Sequence, residues 1–232
     1  MTFVLKRKPS IKIDTVAIDA AMAPWHEGSN ADMARQDVYS TAHDRGVQPG
    51  DLMPDSTVYL GQYAPKDRDG KSLGGIFNIF AAPTDLPQAM TYNDTIRHVA
   101  GLNFWHGHSG DNYANDTEIY AALKDGSYAG GWIIPPHDIL HGKDSGGNDT
   151  APDNIFAYKD KGALKGTFKM IATGDADYSN RYWSSTKSHL DPSYMWAVCL
   201  SDREATCAPR GLYRLSCRPV RLVKARGQSR SR

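Results

Sequence analysis

Four histidines fall in the middle of the chain, and imidazole nitrogen is the commonest protein ligand for a transition metal. His106 and His108 lie within "WHGHSG", and His137 and His141 stand at helix-compatible i, i+4 spacing in "HDILH". A paired-histidine helix serves zinc proteases only with a glutamate beside the first histidine, and "HDILH" lacks it. Gly107 and Gly110 give the first pair a simpler role in a turn, so no metal and no other cofactor is expected. "HGKDSGGNDTAPDN" (141–154) is rich in oxygen ligands and glycine. It lacks the D-x-D-x-D-G spacing and the later glutamate of a calcium loop and reads as solvated. "GDADYSN" (174–180) reads the same way.

Nucleophilic chemistry finds no better support. Ser184 and Ser185 sit outside any G-x-S-x-G elbow, and the flanks of Cys199, Cys207 and Cys217 suggest no activated thiolate. "LGGIF" lacks the lysine and second glycine of a phosphate loop. The chain is therefore expected not to be an enzyme. Three cysteines without C-x-x-C pairs argue for free thiols over a disulfide framework, with one Cys207–Cys217 bridge as the alternative.

Composition suits a soluble globular protein. A length of 232 residues suits one large domain, or one domain plus an arm, and a net charge of +1 gives the body no reason to seek nucleic acid. No run approaches the roughly 18 apolar residues that cross a bilayer. The start, "MTFVLKRKPS", has no apolar stretch of a secretory signal, so the product is expected to be cytoplasmic as synthesised.

Hydrophobic periodicity outlines the elements that would carry a site. Residues 2–18 read as two short strands, and 19–55 as an extended, loop-rich arm. "STVYLGQYA" and "IFNIFAAP" read as a hairpin turned near Asp69-Gly70. Two amphipathic helices follow, one capped by Thr91 and closed by Gly101, the other capped by Asn115 with Glu118 and closed by Gly126. "GGWIIPPHDILHG" gives a buried strand, a Pro135-Pro136 stop and a helical turn, and "DNIFAYKDKGAL" a third helical stretch. Strand signals then return in "GTFKMIAT", "RYWSST", "YMWAVCLS" and "LYRLSCRPVRLV". Strands, then helices, then strands make an α+β domain. Trp132, Trp183 and Trp196 are expected in its core.

Between "RYWSST" and "RPVRLV" the order loosens. Residues 187–217 mix Ser, His, Asp, Tyr, Arg and Cys with Leu, Met and Pro at no regular period, and hold every cysteine. Two readings stay open from composition alone: loops between sheet strands, or a recognition surface, for which Tyr, Trp, Ser and Arg are well suited.

The landmarks around this stretch resemble a bacterial and phage domain family with a C-type-lectin fold. "GGWIIPPHDIL" is similar to its W-R-L-P-T-x-x-E-L segment and "NFWHGH" to the loop before it. "RYWSST", "MWAVCLSD" and "LSCRPVR" follow in the family's order as Y-W-S-S, A-W-x-V-x-F and V-R-x-V-R. The resemblance covers residues 57–223 and departs at Ile133, at Pro136, at Asp138 or Ile139 where the family has Glu, and at Leu200, with 112–130 an insertion relative to short members. It implies scaffold roles for Trp132, Pro135, Leu140, Tyr182, Trp183, Ser184, Ser185, Trp196, Val198, Arg218, Val220 and Arg221. The same landmarks occur in the variable proteins of diversity-generating retroelements, including phage tail proteins that bind receptors. There, adenine randomisation leaves Ser, Tyr, His, Asp, Arg, Leu, Pro and Cys between fixed borders, the mixture that fills 187–217 here.

The resemblance thus implies a C-type-lectin-like fold of the formylglycine-generating-enzyme-like branch. It divides the chain into an N-terminal β arm and loop-rich segment (1–56), a ligand-binding domain (57–223) and a basic flexible tail (224–232). The expected contact residues are Ser188, His189, Asp191, Ser193, Tyr194, Ala197, Cys199, Arg203, Glu204, Thr206, Arg210 and Tyr213. The expected partner is a protein or glycan on a cell surface, met from a phage particle, with no membrane or nucleic-acid partner and a homo-oligomer left open. The alternatives are a formylglycine-generating-type oxidase and a purely structural phage or prophage component.

Overall fold

"FNIFA" has no polar alternation except Asn78, as suits a strand covered on both faces. In a computed structural model, which describes residues 33–66, 70–144, 147–169, 171 and 175–226, it forms β2 (Phe77–Ala81), buried at every position. β1 (Val58–Tyr63) pairs with it antiparallel, completing the expected hairpin, and β6 (Val220–Lys224) pairs along its other edge. A bulge in β1 falls between Tyr59 and Gly61; Gly61 has a φ of 118°, which favours glycine, and the Asp153 side chain fills the place of a Cβ there. Asp153 accepts the Gln62 N–H there at 2.8 Å.

The other face of this sheet carries Tyr59 and Phe80, and it is covered by the segment read as a loop-rich arm. Residues Met33–Ser40 form helix α1, and Tyr39, Ala42 and Met53 pack onto the sheet. The Tyr39 ring meets Phe80 edge-on at 5.0 Å, while Asn78 donates from its amide to the carbonyls of Tyr39 (2.7 Å) and Ser40 (3.1 Å). These contacts are tertiary and leave little periodic trace in the sequence. At the other end, Lys224 belongs to β6 opposite Phe77, although the sequence places it in the tail. The strands expected within 2–18 and the turn residues 67–69 lie outside the described residues.

Helix α2 (Tyr92–Trp105) starts as expected, with the Thr91 hydroxyl accepting the Asp94 N–H at 3.2 Å. It does not stop at Gly101. Leu102 and Asn103 are fully buried and draw out another turn, and the Asn103 amide group donates to Trp132 O and accepts from Trp132 N. Helix α3 (Asp116–Asp125) has the expected Asn115–Glu118 start and a left-handed Gly126 at φ 80°. Two short helices follow, α4 (His137–His141) and α5 (Ile155–Tyr158), with a 3-10 turn at Gly162–Leu164 in place of a longer third helix.

The second sheet has the order β3 (Arg181–Lys187), β4 (Tyr194–Cys199), β5 (Ala205–Pro209), all antiparallel. Tyr182, Val198 and Leu200 join the core that the first sheet's Leu60, Ile79 and Leu222 face. Trp183, Met195, Ala197 and Ala208 point the other way, onto Tyr92, Val99 and Leu102 of α2. The sheet is thus covered on both faces. Trp183 is fully buried and donates its indole N–H to Met90 O at 2.8 Å, and Trp132 is buried as expected. Trp196 is only half-buried.

A buried ionic cluster ties the two sheets. Arg218 donates to Asp85 at 2.7 Å, to Ala82 O at 3.0 Å and to Thr167 O at 2.7 Å, and lies 4.1 Å from the Phe168 ring centroid. Asp85 also accepts the Tyr182 hydroxyl at 2.7 Å and the Lys169 N–H at 2.6 Å. "GTFKMIAT" is therefore spent on lining this cluster, with no strand among its described residues. "LYRLSCRPVRLV" forms regular strand only from Val220, with Leu215 and Ser216 in single bridges to Met90 and Tyr182. β5 forms where the sequence reads as irregular. The architecture is α+β, with two small antiparallel sheets and few helices. No helix among the described residues is long and apolar enough to cross a membrane.

Candidate recognition face

Antiparallel register decides which of the twelve expected contact residues can meet. The β3–β4 connection and the end of β5 lie together, because Tyr194 pairs with Pro209. The β4–β5 connection lies at the opposite end, where Arg181 pairs with Cys199. The structure thus divides the set between two ends of one sheet.

The first end holds His189, Asp191, Ser193, Tyr194, Arg210 and Tyr213. Asp191 accepts the Ser193 N–H (2.8 Å) and hydroxyl (2.7 Å), and Tyr194 N donates back to Asp191 O at 3.0 Å. This tight turn projects His189 and Leu190 outward, and Leu190 is 85% exposed. Ser188 is a correction: it is buried, its N–H donates to Tyr194 O, and its hydroxyl accepts from Leu190 N at 3.2 Å. It shapes the turn. Arg210 N donates to Ser193 O at 3.1 Å and joins the two loops. Beside them Asn93, Ser193, Pro209, Arg210, Gly211 and Leu212 line an open depression of about 500 Å³. Tyr213 is half-buried, stacked on Tyr178 at 3.7 Å, and donates its hydroxyl to Asp175 at 3.2 Å.

Three further corrections concern β4 and the second end. Ala197 is fully buried and Cys199 is 4% exposed, because both faces of β4 are covered. Arg203 turns inward from a left-handed backbone (φ 67°), donating through Nε (3.0 Å) and Nη2 (2.8 Å) to His141 O, with Phe156 beneath it at 5.3 Å. It anchors its loop. Glu204 remains exposed, 3.4 Å from Arg181, and Thr206 is half-buried in β5.

The histidines divide as well. Gly107 takes a φ of 76°, consistent with a turn at the first pair. In the second pair the rings lie 4.7 Å apart, with Trp196 packed 5.1 Å from His137. His137 Nδ1 is 2.8 Å from Lys143 O, and His141 Nε2 is 2.8 Å from Arg203 O. Carbonyls only accept, so both protons belong on those nitrogens. Burial holds His137 down at about 4, with His141 beside it adding to the effect, and burial lowers His141 too. Between them Asp138 takes the Tyr63 hydroxyl at 2.6 Å, and burial lifts its carboxyl to about 6. Among the described residues no group of three or more His, Cys, Asp or Glu side chains is placed to hold a metal. The three cysteines are unpaired.

Sequence reasoning overlooks Leu190, Leu212 (67% exposed) and Asn93. Leucine in an irregular stretch carries no surface signal, and Asn93 is an ordinary residue of a capped helix. Phe104 and Trp105 are also exposed, at the end of α2. No family model and no curated protein matches the chain.

Proposed function

We propose that the chain is a non-enzymatic binding protein that displays a recognition surface on a C-type-lectin-like scaffold. The observation that carries this reading is a contrast within one sheet. Tyr182, Trp183, Ser184, Ser185 and Arg218, five residues of the resembled landmarks, are at most 1% exposed, while Trp196 and Arg221 are half-buried. The loops between them project His189, Leu190, Asp191, Ser193 and Leu212, of which Leu190 and Leu212 contribute nothing to the core. Frame and contact residues are thereby separable, as a surface that changes its target requires. In this reading the contact surface is the end made by the β3–β4 and post-β5 loops, the target is a protein or glycan on a cell surface, and the chain is carried on a phage particle. A near-copy of codons 180–221 beside a reverse-transcriptase gene is expected if a retroelement diversifies it.

The test compares wild type with a His189→Ala, Leu190→Ala, Leu212→Ala variant for binding to bacterial cells and to arrayed cell-surface glycans. Exposed positions away from caps and core change stability by no more than about 0.5 kcal/mol each, so the melting curve should barely move while binding falls. A variant that unfolds makes these residues core. One that binds fully moves the site off this end of the sheet.

A further inference from the structure

The unexplained group on this face is an arginine without an anion. Arg218, Arg221 and Arg181 each meet a carboxylate, on Asp85, Asp55 and Glu204. Arg210 meets none among the described residues; its Nε is closed to solvent and so to any ligand, which leaves the two Nη nitrogens to meet one. What holds the guanidinium is the Tyr92 ring, 5.4 Å from its central carbon. The end-on pair of Nη donors is matched to the two oxygens of a carboxylate.

We propose that Arg210 and the adjoining depression form a subsite for the carboxylate of an acidic sugar, a uronic or sialic acid. The proposal rests on the recognition-face reading above. Charge selects the ligand: the rim offers one guanidinium and, near it, the Asp191 carboxylate bonded to Ser193. A carboxylate sets one negative charge beside the guanidinium and a phosphate dianion sets two, so repulsion from Asp191 weighs more heavily on phosphate. The neutral lining selects further. The Ser193 hydroxyl donates to Asp191 and keeps its lone pairs, while the exposed Asn93 amide can donate and accept. Ring hydroxyls do both from one atom and suit this pair. Exposed Leu212 and half-buried Pro209 give an apolar wall for the C–H face of a pyranose, and about 500 Å³ accommodates one sugar residue.

The full chain is titrated by NMR with galacturonic acid, N-acetylneuraminic acid, galactose, inorganic phosphate and an acetylated Gly-Glu dipeptide. The acidic sugars should bind at least about tenfold tighter than galactose or phosphate, the loss that follows removal of one charged hydrogen bond. Shifts should centre on the Arg210 side-chain N–H and the Asn93 amide, a readout that needs no variant. Arg210→Met, which keeps an apolar stem over Tyr92, should abolish the preference. Equal binding of galactose, tighter binding of the dipeptide or of phosphate, shifts elsewhere, or no binding of either acidic sugar overturns the subsite. A chain that ignores acidic sugars yet binds cells through His189, Leu190 and Leu212 overturns the subsite and leaves the recognition face standing.

Discussion

Arg218 joins its own segment to Ala82 and Asp85 and to Thr167 and Phe168. Removing one partner of a buried ion pair strands the other charge, at a cost of roughly 3–5 kcal/mol. Arg218→Met should therefore lower stability by that order in a denaturant melt, and a simultaneous Asp85→Asn should recover part of it. Independent additive losses would show that the pair is not coupled. The cysteines make a second case. Burial raises the Cys217 thiol strongly and the half-buried Cys207 less, so in the native protein Cys207 should react with a thiol reagent well before Cys217. All three should titrate after denaturation without reductant, and a single reactive thiol would mean that a disulfide had formed.

Among the elements, the short helix α4 has an unusual titration balance. His137 and His141 are held neutral by burial, so below the ordinary value of 6.5 the unfolded chain binds protons that the folded one refuses. Their contribution is present above 6.5 and is lost as the pH falls toward about 4. Asp138 has the opposite sign: folded near 6 against 3.8 unfolded, it gains stability over much the same fall in pH. His137 and Asp138 are each worth on the order of 3 kcal/mol and offset one another, and His141 adds to the loss in acid. Between pH 6.5 and 4 the melting temperature should fall more steeply with acid in Asp138→Asn than in wild type. A flat profile in the variant would show the histidines to be hydrated. Helix ends are where sequence and structure agree best, since Thr91, Asn115 and Gly126 act through local backbone geometry. Asn115→Ala should cost about 1 kcal/mol, read from a thermal melt. The failures have tertiary causes. Gly101 is overruled by burial of Leu102 and Asn103, and α1 is held by tertiary contacts of Tyr39. The candidate site was legible only as a stretch of composition. Which side chains face out depends on both faces of β4 being covered, and that is settled by α2 and the first sheet.

At the scale of the whole molecule, the two ends of the second sheet have different duties. The end with Arg203 and Arg181 is closed upon α4 and the 3-10 turn at Ala176–Tyr178, while the end with Ser193 and Arg210 stays open. The strand order of the first sheet carries a consequence for synthesis. β2 is central, yet its second neighbour is β6. During translation β1 and β2 leave the ribosome first, and β2 then waits with one edge unpaired while the intervening helices and the second sheet emerge. An apolar unpaired edge invites pairing with other chains, so the nascent protein depends on shielding until Val220–Lys224 arrive. A product cut short before Val220 should collect in the insoluble fraction, and adding back the missing segment during refolding, not after it, should rescue it.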